Sequence, residues 1–306
     1  MAKKSFVKKD VYQEVTNKII AKLEAGTVPW VKEWDNQGNN LSKPLPYNFD
    51  SGNMYSGMNI LSLWMSEEEN QFTSNAWMTF AQAKKKGGNI IKGQKGTSLF
   101  FFKFVEKVCA DTGTDKSYAM PKPFTVFNLD QIEGIELPTC EEQPQPHNGP
   151  INTGVLLSYM IDQGIKLTDG KNTAYYSPTV DRIGMPPREQ FHSESAYFGT
   201  LAHECIHSTG HKKRLDRFSN ITDILDTVPS PKKEYAFEEL IAELGAAFLC
   251  AETGIQKDNE QTAAYIGHWL KCLKSDKKFI AQAASRASKA TKYINEAAEI
   301  KLEKAA

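Results

Sequence analysis

An α+β fold in two domains is what this sequence of 306 residues predicts, and three observations carry the prediction. Apolar runs with strand character are concentrated in the first half of the chain. Long runs with apolar residues at helical spacing fill the C-terminal third. Between them Pro138, Pro144, Pro146, Asn148, Gly149 and Pro150 interrupt an otherwise periodic chain, as a linker does. The expected organisation is therefore a small α+β domain over 1–137, a Pro-rich linker over 138–152 and a mainly helical domain over 153–306, each with apolar residues enough for a core.

The elements follow in chain order. Asp10 to Ala25 reads as an amphipathic helix and Gly26 to Trp30 as the loop after it. Trp77 to Lys86 is a second helix, and Ser98 to Val108 and Pro123 to Leu129 are apolar strands. Beyond the linker, Val155 to Gln163 starts a helix and Thr173 to Ile183 is a strand, with a Pro178 typical of a sheet edge. Ser193 is an N-cap for a helix carrying Ala196, Tyr197, Thr200 and Leu201 at helical spacing, and Gly210 ends it. Helices over Tyr235–Glu252, Asn259–Lys274 and Lys278–Ala298 complete the chain, the middle one with a capping box at Asp258 and Gln261.

The chemistry lies on the Ser193 helix. His203-Glu204-Cys205-Ile206-His207 has the HExxH spacing, which stacks two imidazoles on one helical face. His203 and His207 can then share one metal ion while Glu204 reaches a water at that ion as a general base. A surface helix that happens to carry two histidines is the alternative. Cys205, within the motif, reads as a small packing residue. Such a site needs a third protein ligand, and the metzincin position for a third His is occupied by Lys213. His211, one turn past His207, would contact substrate or support a ligand, unless it is simply a helix-end His favoured by the dipole.

The third ligand is sought in the helix from Tyr235, where Leu240, Leu244, Ala247 and Phe248 form a core-facing stripe with three carboxylates close by. Glu239 and Glu243 are one turn apart, the gluzincin arrangement, in which the first carboxylate coordinates and the residue four later hydrogen-bonds a ligand His. Glu239 is assigned to the metal and Glu243 to that support, with Glu238 or Glu243 as alternative ligands; Glu238 otherwise reads as a solvated-face glutamate. A His2Glu set suits Zn2+, with Mn2+ or another divalent ion as the alternative.

Composition excludes several classes. Lys plus Arg and Asp plus Glu both total 37, so no global preference for polyanions exists. Mean hydropathy is −0.48, and no run of about eighteen apolar residues could span a membrane. Five Cys without a CxxC pair, and an N-terminus without an apolar stretch, lead us to expect the cytoplasm rather than secretion. The charge is unevenly spread. Through residue 128 there are 17 Lys+Arg against 12 Asp+Glu, a net of +5, which leaves −5 for the remainder. Aromatics are interleaved there with Gly and Lys: Asn53, Tyr55, Gly57, Asn59, Trp64, Trp77, Phe80 and Gln82, then Lys84–Lys86, Lys92 and Lys95. This suits a groove in which bases stack on rings and phosphates meet ammonium groups, though a half-buried sheet has the same look.

These segments together resemble the ArdC family of plasmid and phage antirestriction proteins. The first half contributes Tyr55-Ser56-Gly57-Met58-Asn59, Trp77 to Ala83, Ile91 to Gly96 and Val126 to Gln131. The second contributes Ala174 to Pro178, Asp181 to Pro186, Thr200 through His211, the acidic helix from Tyr235, and Tyr265 to Leu270. The resemblance covers nearly the whole chain. It departs at Cys205, where the family often has Leu, and His268 is not promoted to a ligand.

The resemblance implies an N-terminal domain that binds single-stranded DNA, with double-stranded DNA a second candidate, and a C-terminal zincin-like metallopeptidase domain. In it His203, His207 and Glu239 bind the metal and Glu204 is the general base. Tyr55, Trp77, Lys92 and Lys95 are the expected DNA contacts. The function implied is that of an antirestriction protein of a mobile element, acting in the bacterial cytoplasm or carried in with transferred DNA, which shields incoming DNA from host restriction. The alternative is a DNA-associated metalloprotease that cleaves a host protein. Its peptide would pair with the Thr173–Ile183 edge, and Tyr175 or Tyr176 would face the oxyanion unless both are packing aromatics. A nuclease is disfavoured because one HExxH ion lacks the paired-metal carboxylates of phosphodiester cleavage.

Overall fold

The computed structural model describes residues 10–31, 43–108, 115–135, 153–168, 172–218, 231–255 and 265–305. The expected linker and the capping box at Asp258 and Gln261 lie outside them. The fold is α+β, with small sheets in front and a mostly helical second half.

Helix α1 (Val11–Glu24) opens on Asp10, whose carboxylate accepts from the Gln13 amide. Strand β1 (Tyr47–Asn48), helix α2 (Met58–Asn70), strand β2 (Ala76–Met78), helix α3 (Phe80–Lys85) and strand β3 (Asn89–Ile90) follow. Strands β4 (Thr97–Val108) and β5 (Asp115–Asn128) form a long hairpin, and β6 (Ile132–Glu133) pairs with β3. The main sheet runs β1-β2-β5-β4, parallel at β1/β2 and antiparallel elsewhere. The Asn59 amide of α2 donates to the Phe100 carbonyl at 2.8 Å and accepts from its N–H at 3.2 Å, which occupies part of the β4 edge.

Two expectations need correction here. Residues 76–78 are strand rather than helix, because all three side chains are buried inside the sheet and Thr79 and Gln82 form the capping box that starts α3 at Phe80. The helix α2 had no place among the expected elements. Its first turns, Met58 and Ile60 to Met65, are buried all round, so no apolar stripe marks the period.

The second half begins with α4 (Gly154–Asp162) and a three-stranded sheet, β7 (Lys166–Thr168), β8 (Tyr175–Ser177) and β9 (Arg182–Gly184), in the order β7-β9-β8. The stretch expected as one strand over 173–183 is thus two strands, folded back through a turn in which Asp181 takes φ 50°. Strand β8 is an edge. Helices α5 (Glu194–Ser208), α6 (Pro231–Thr253), α7 (Ile266–Ser275) and α8 (Phe279–Ala305) follow. Ser193 caps α5 by accepting from the Ala196 amide, as expected.

The largest buried cluster draws on both halves. Trp64 of α2 meets Phe248 of α6 edge-on at 5.7 Å, and Trp30 meets Trp269 of α7 at 5.7 Å. The Gly57 N–H donates to the Ser288 hydroxyl of α8 at 2.7 Å; Gly57 takes φ 61°, which favours glycine. Helices α5 and α6 approach closely where Gly245 lies under the Ile206 side chain. No helix among the described residues is long and apolar enough to cross a membrane.

Candidate metal centre

Helix α5 turns His203 and His207 to one side, and their Nε2 atoms stand 3.1 Å apart. From α6, Glu239 reaches between them: one carboxylate oxygen is 3.5 Å from His203 Nε2 and the other 3.5 Å from His207 Nε2. Among the described residues, these three form the group of His, Cys and acidic side chains whose donor atoms converge closely enough to hold an ion.

Each imidazole is backed by another carboxylate. Glu243 Oε2 lies 3.5 Å from His203 Nδ1, and Glu238 Oε1 lies 3.3 Å from His207 Nδ1. A carboxylate at Nδ1 favours the Nδ1–H tautomer and turns the Nε2 lone pair to the shared centre. The donor set therefore fits a divalent cation of the zinc type. Glu238 is not a solvated-face residue. It is 6% exposed, and Arg217 clamps it, Nε to Oε2 at 3.1 Å and Nη2 to Oε1 at 2.5 Å. Arg217 also donates to the Thr209 hydroxyl at 2.6 Å and to the Ile206 carbonyl at 2.9 Å, so one guanidinium satisfies the end of α5 and fixes the support of His207.

Burial disfavours charge on both imidazoles, but the carboxylates outweigh it. Glu239 and Glu243 raise the pKa of His203, and Glu238 and Glu239 lift that of His207 to about 10. Burial pushes the carboxyl groups up, and their partners reverse this: the two imidazoles hold Glu239 well below the usual carboxylate range, and Arg217 with His207 lowers Glu238.

The centre opens into a cleft of about 520 Å³. One wall is β8 and its exit, with Ala174, Tyr175, Tyr176 and Pro178; the other is Tyr235, Tyr265 and Trp269, and Glu204 lines the cleft beside the histidines. The hydroxyls of Tyr235 and Tyr265 are 3.2 Å apart, and Tyr265 stacks on Trp269 at 5.8 Å. Tyr176 is committed elsewhere. Its hydroxyl donates to Asp181 at 2.8 Å and accepts from Arg214 at 3.1 Å, and its ring stacks on Phe218. Tyr175 lies over Gly184 so closely that a Cβ there would come within 2.3 Å of its ring. Both behave as packing aromatics.

His211 is buried but stands apart from the cleft lining; its Nδ1 accepts from the Lys213 amide at 3.2 Å and lies 4.0 Å from Asp181. Cys205 is fully buried and packs, and His268 is exposed. In the N-terminal half, Lys92 and Lys95 are exposed between β3 and β4, and Tyr55 lines a second cavity. Trp77 is a correction. It is 0% exposed, its Nε1 is 3.4 Å from Glu67, and Phe72 packs edge-on against it, so no ring face is open to a base. Trp64, also read into the groove, is core. Sequence reasoning missed Arg217 altogether, because a basic residue beyond the motif helix carries no signal of the carboxylate it will meet.

Residues 9–127 match the family described as the N-terminal domain of anti-restriction factor ArdC, and residues 157–286 match that of a zincin-like metallopeptidase. An uncharacterized protein of Sinorhizobium fredii, y4eC, is 31% identical over 297 residues, covering 94% of this chain and 92% of that one. A DNA primase of Escherichia coli, TraC, is 33% identical over 309 residues, 94% of this chain but 27% of the primase. Two crystal structures of the antirestriction protein ArdC from plasmid R388 superpose on the fold. The metal-free form gives a TM-score of 0.78 at 40% identity, covering 95% of this chain and 99% of that one. The Mn(II)-bound form gives 0.75 at 39%, covering 95% and 98%.

Proposed function

The chain belongs to the ArdC antirestriction family, and from that premise we propose that it binds single-stranded DNA through residues 1–137 and protects incoming DNA from restriction in the bacterial cytoplasm. In this reading residues 153–306 hold a divalent ion, zinc in preference to manganese, at His203, His207 and Glu239. The observation that carries the metal reading is the convergence of those three donors with a carboxylate behind each imidazole. The neighbouring ArdC crystallised with Mn(II) supports a divalent ion.

A divalent ion in this set acts as a Lewis acid, lowering the pKa of water and polarising a carbonyl. Glu204 takes the proton of the attacking water and delivers it to the leaving amine. Glu243 and Glu238 keep the imidazoles oriented, the β8 edge offers backbone groups to an extended peptide, and Tyr235 and Tyr265, which line the cleft, would donate to the oxyanion. Burial and their neighbours raise the pKa of both tyrosines, so the hydroxyls keep their protons.

A second reading, in which protection works through cleavage of a host protein, is favoured by an intact Glu204 inside the cleft. Glu204→Ala separates the two. If coating of DNA is the mechanism, the variant retains both single-strand binding and protection of transferred DNA. Lost protection with unchanged DNA binding sinks coating and leaves proteolysis.

A further inference from the structure

A second cavity, of about 500 Å³, opens on the N-terminal half, far along the chain from the metal centre. Its residues come from the β1 exit, the start of α3 and the β4–β5 hairpin, and among the described residues no acidic or basic side chain lines it. Such a lining suits a neutral, planar ligand.

The apolar wall arises from strand register. Leu99 and Phe124 are cross-strand partners, and Phe101 follows Leu99 on the same face. At Leu99 that face is buried with Trp77 and Val126. Two residues on, the covering elements end. Phe101 is 48% exposed with its ring 5.9 Å from that of Phe124. An uncovered phenylalanine beside a cavity is a stacking platform.

The polar wall is pre-set. Asn48 and Gln82 pair reciprocally through their amides, Nδ2 to Oε1 at 3.1 Å and Nε2 to Oδ1 at 3.2 Å. Gln82 is in turn fixed by the Thr79 amide and hydroxyl, each at 2.9 Å. Asn48 Nδ2 also donates to the Tyr55 hydroxyl at 3.3 Å, which leaves the tyrosine proton to be donated. Charge is found at the rim. Lys122, the cross-strand partner of Phe101, is exposed.

We infer that this cavity is a nucleobase pocket for single-stranded DNA, in which one base stacks on Phe101, a base carbonyl accepts from Tyr55, and Lys122 meets the adjoining phosphate. The inference rests on the reading of residues 1–137 as a single-strand-binding region and gives that region its contact residues. Stacking of this kind tolerates every base, because each has a π-face, so the pocket grips DNA without selecting a sequence.

The test uses the full chain with two fluorescent probes: a single-stranded oligothymidylate, and the abasic oligomer with the same phosphates. Phe101→Ala, at an exposed position, is expected to fold as wild type by circular dichroism and to bind oligothymidylate roughly ten-fold more weakly. Its affinity for the abasic oligomer should stay that of wild type. If Phe101→Ala binds oligothymidylate as wild type does, or weakens equally on both probes, the pocket is overturned while single-strand binding stands. Wild-type protein that binds neither probe overturns the reading of the N-terminal half, and the pocket with it.

Discussion

His207 sits between two carboxylates, and in the metal-free protein that environment holds a proton. The pKa rises from 6.5 to about 10 on folding. The metal-free chain therefore draws stability from this proton below pH 6.5 and loses it as pH rises through about 10. Metal ligation requires the neutral ring, so zinc held there would have to displace the proton and would bind more tightly as pH rises. The increase in melting temperature on adding zinc should thus widen from pH 6.5 toward about 10, and Glu239→Ala should abolish it. A zinc shift constant across that range, or retained in the variant, would falsify the ligand set. His203, Glu204 and His207 were legible in the sequence, because helical spacing alone brings them to one place, whereas Glu239, on another helix, had to be chosen there among three neighbouring carboxylates. The buried pair of Glu238 and Arg217 was not legible, since the two lie 21 residues apart in sequence and only the folded chain makes them neighbours.

Between elements, the site depends on how closely α5 and α6 approach. Gly245 permits the approach: a Cβ there would lie 2.8 to 2.9 Å from three Ile206 side-chain atoms, in a side chain that is fully buried and branched at Cβ. Gly245→Ala gains up to about 1 kcal/mol of helix propensity, but Ile206 cannot swing away, and overpacking of this kind costs about 1–3 kcal/mol. A net loss of stability is expected in urea unfolding, together with weaker zinc binding as the ligand-bearing helices separate. A variant as stable as wild type would show that the contact relaxes freely. The same scale explains what was hard to foresee. Helices α1 and α8 were visible because each shows solvent one face, and α5 and α6, though largely buried, because the polar side chains they turn toward the centre interrupt the apolar run at helical spacing. Helix α2 was hidden because its first turns show solvent none, and β2 was absorbed into α3 because a buried three-residue strand has no room to display alternation.

At the scale of the whole molecule the largest buried cluster spans both halves, while two smaller ones, around Met78 and around Trp77, stay within the first. Trp64 against Phe248 couples α2 to the helix that carries Glu238, Glu239 and Glu243. Ligand binding to the native state should accordingly stabilise both halves. Zinc is expected to slow amide exchange in α2 as well as in α5 and α6, and exchange in α2 indifferent to zinc would mean that the halves open independently. The Pro-rich stretch that suggested separate domains in the sequence says nothing about this contact, because side-chain packing between segments far apart in the chain leaves no periodic trace. Strand β8 lies at the edge of its sheet and lines the cleft. An edge can be extended only by chain that is already straight, so a folded partner could enter only through a tail, a loose loop or a stretch that has come undone. Selection at this cleft would then act on the mobility of the target before it acted on any particular side chain.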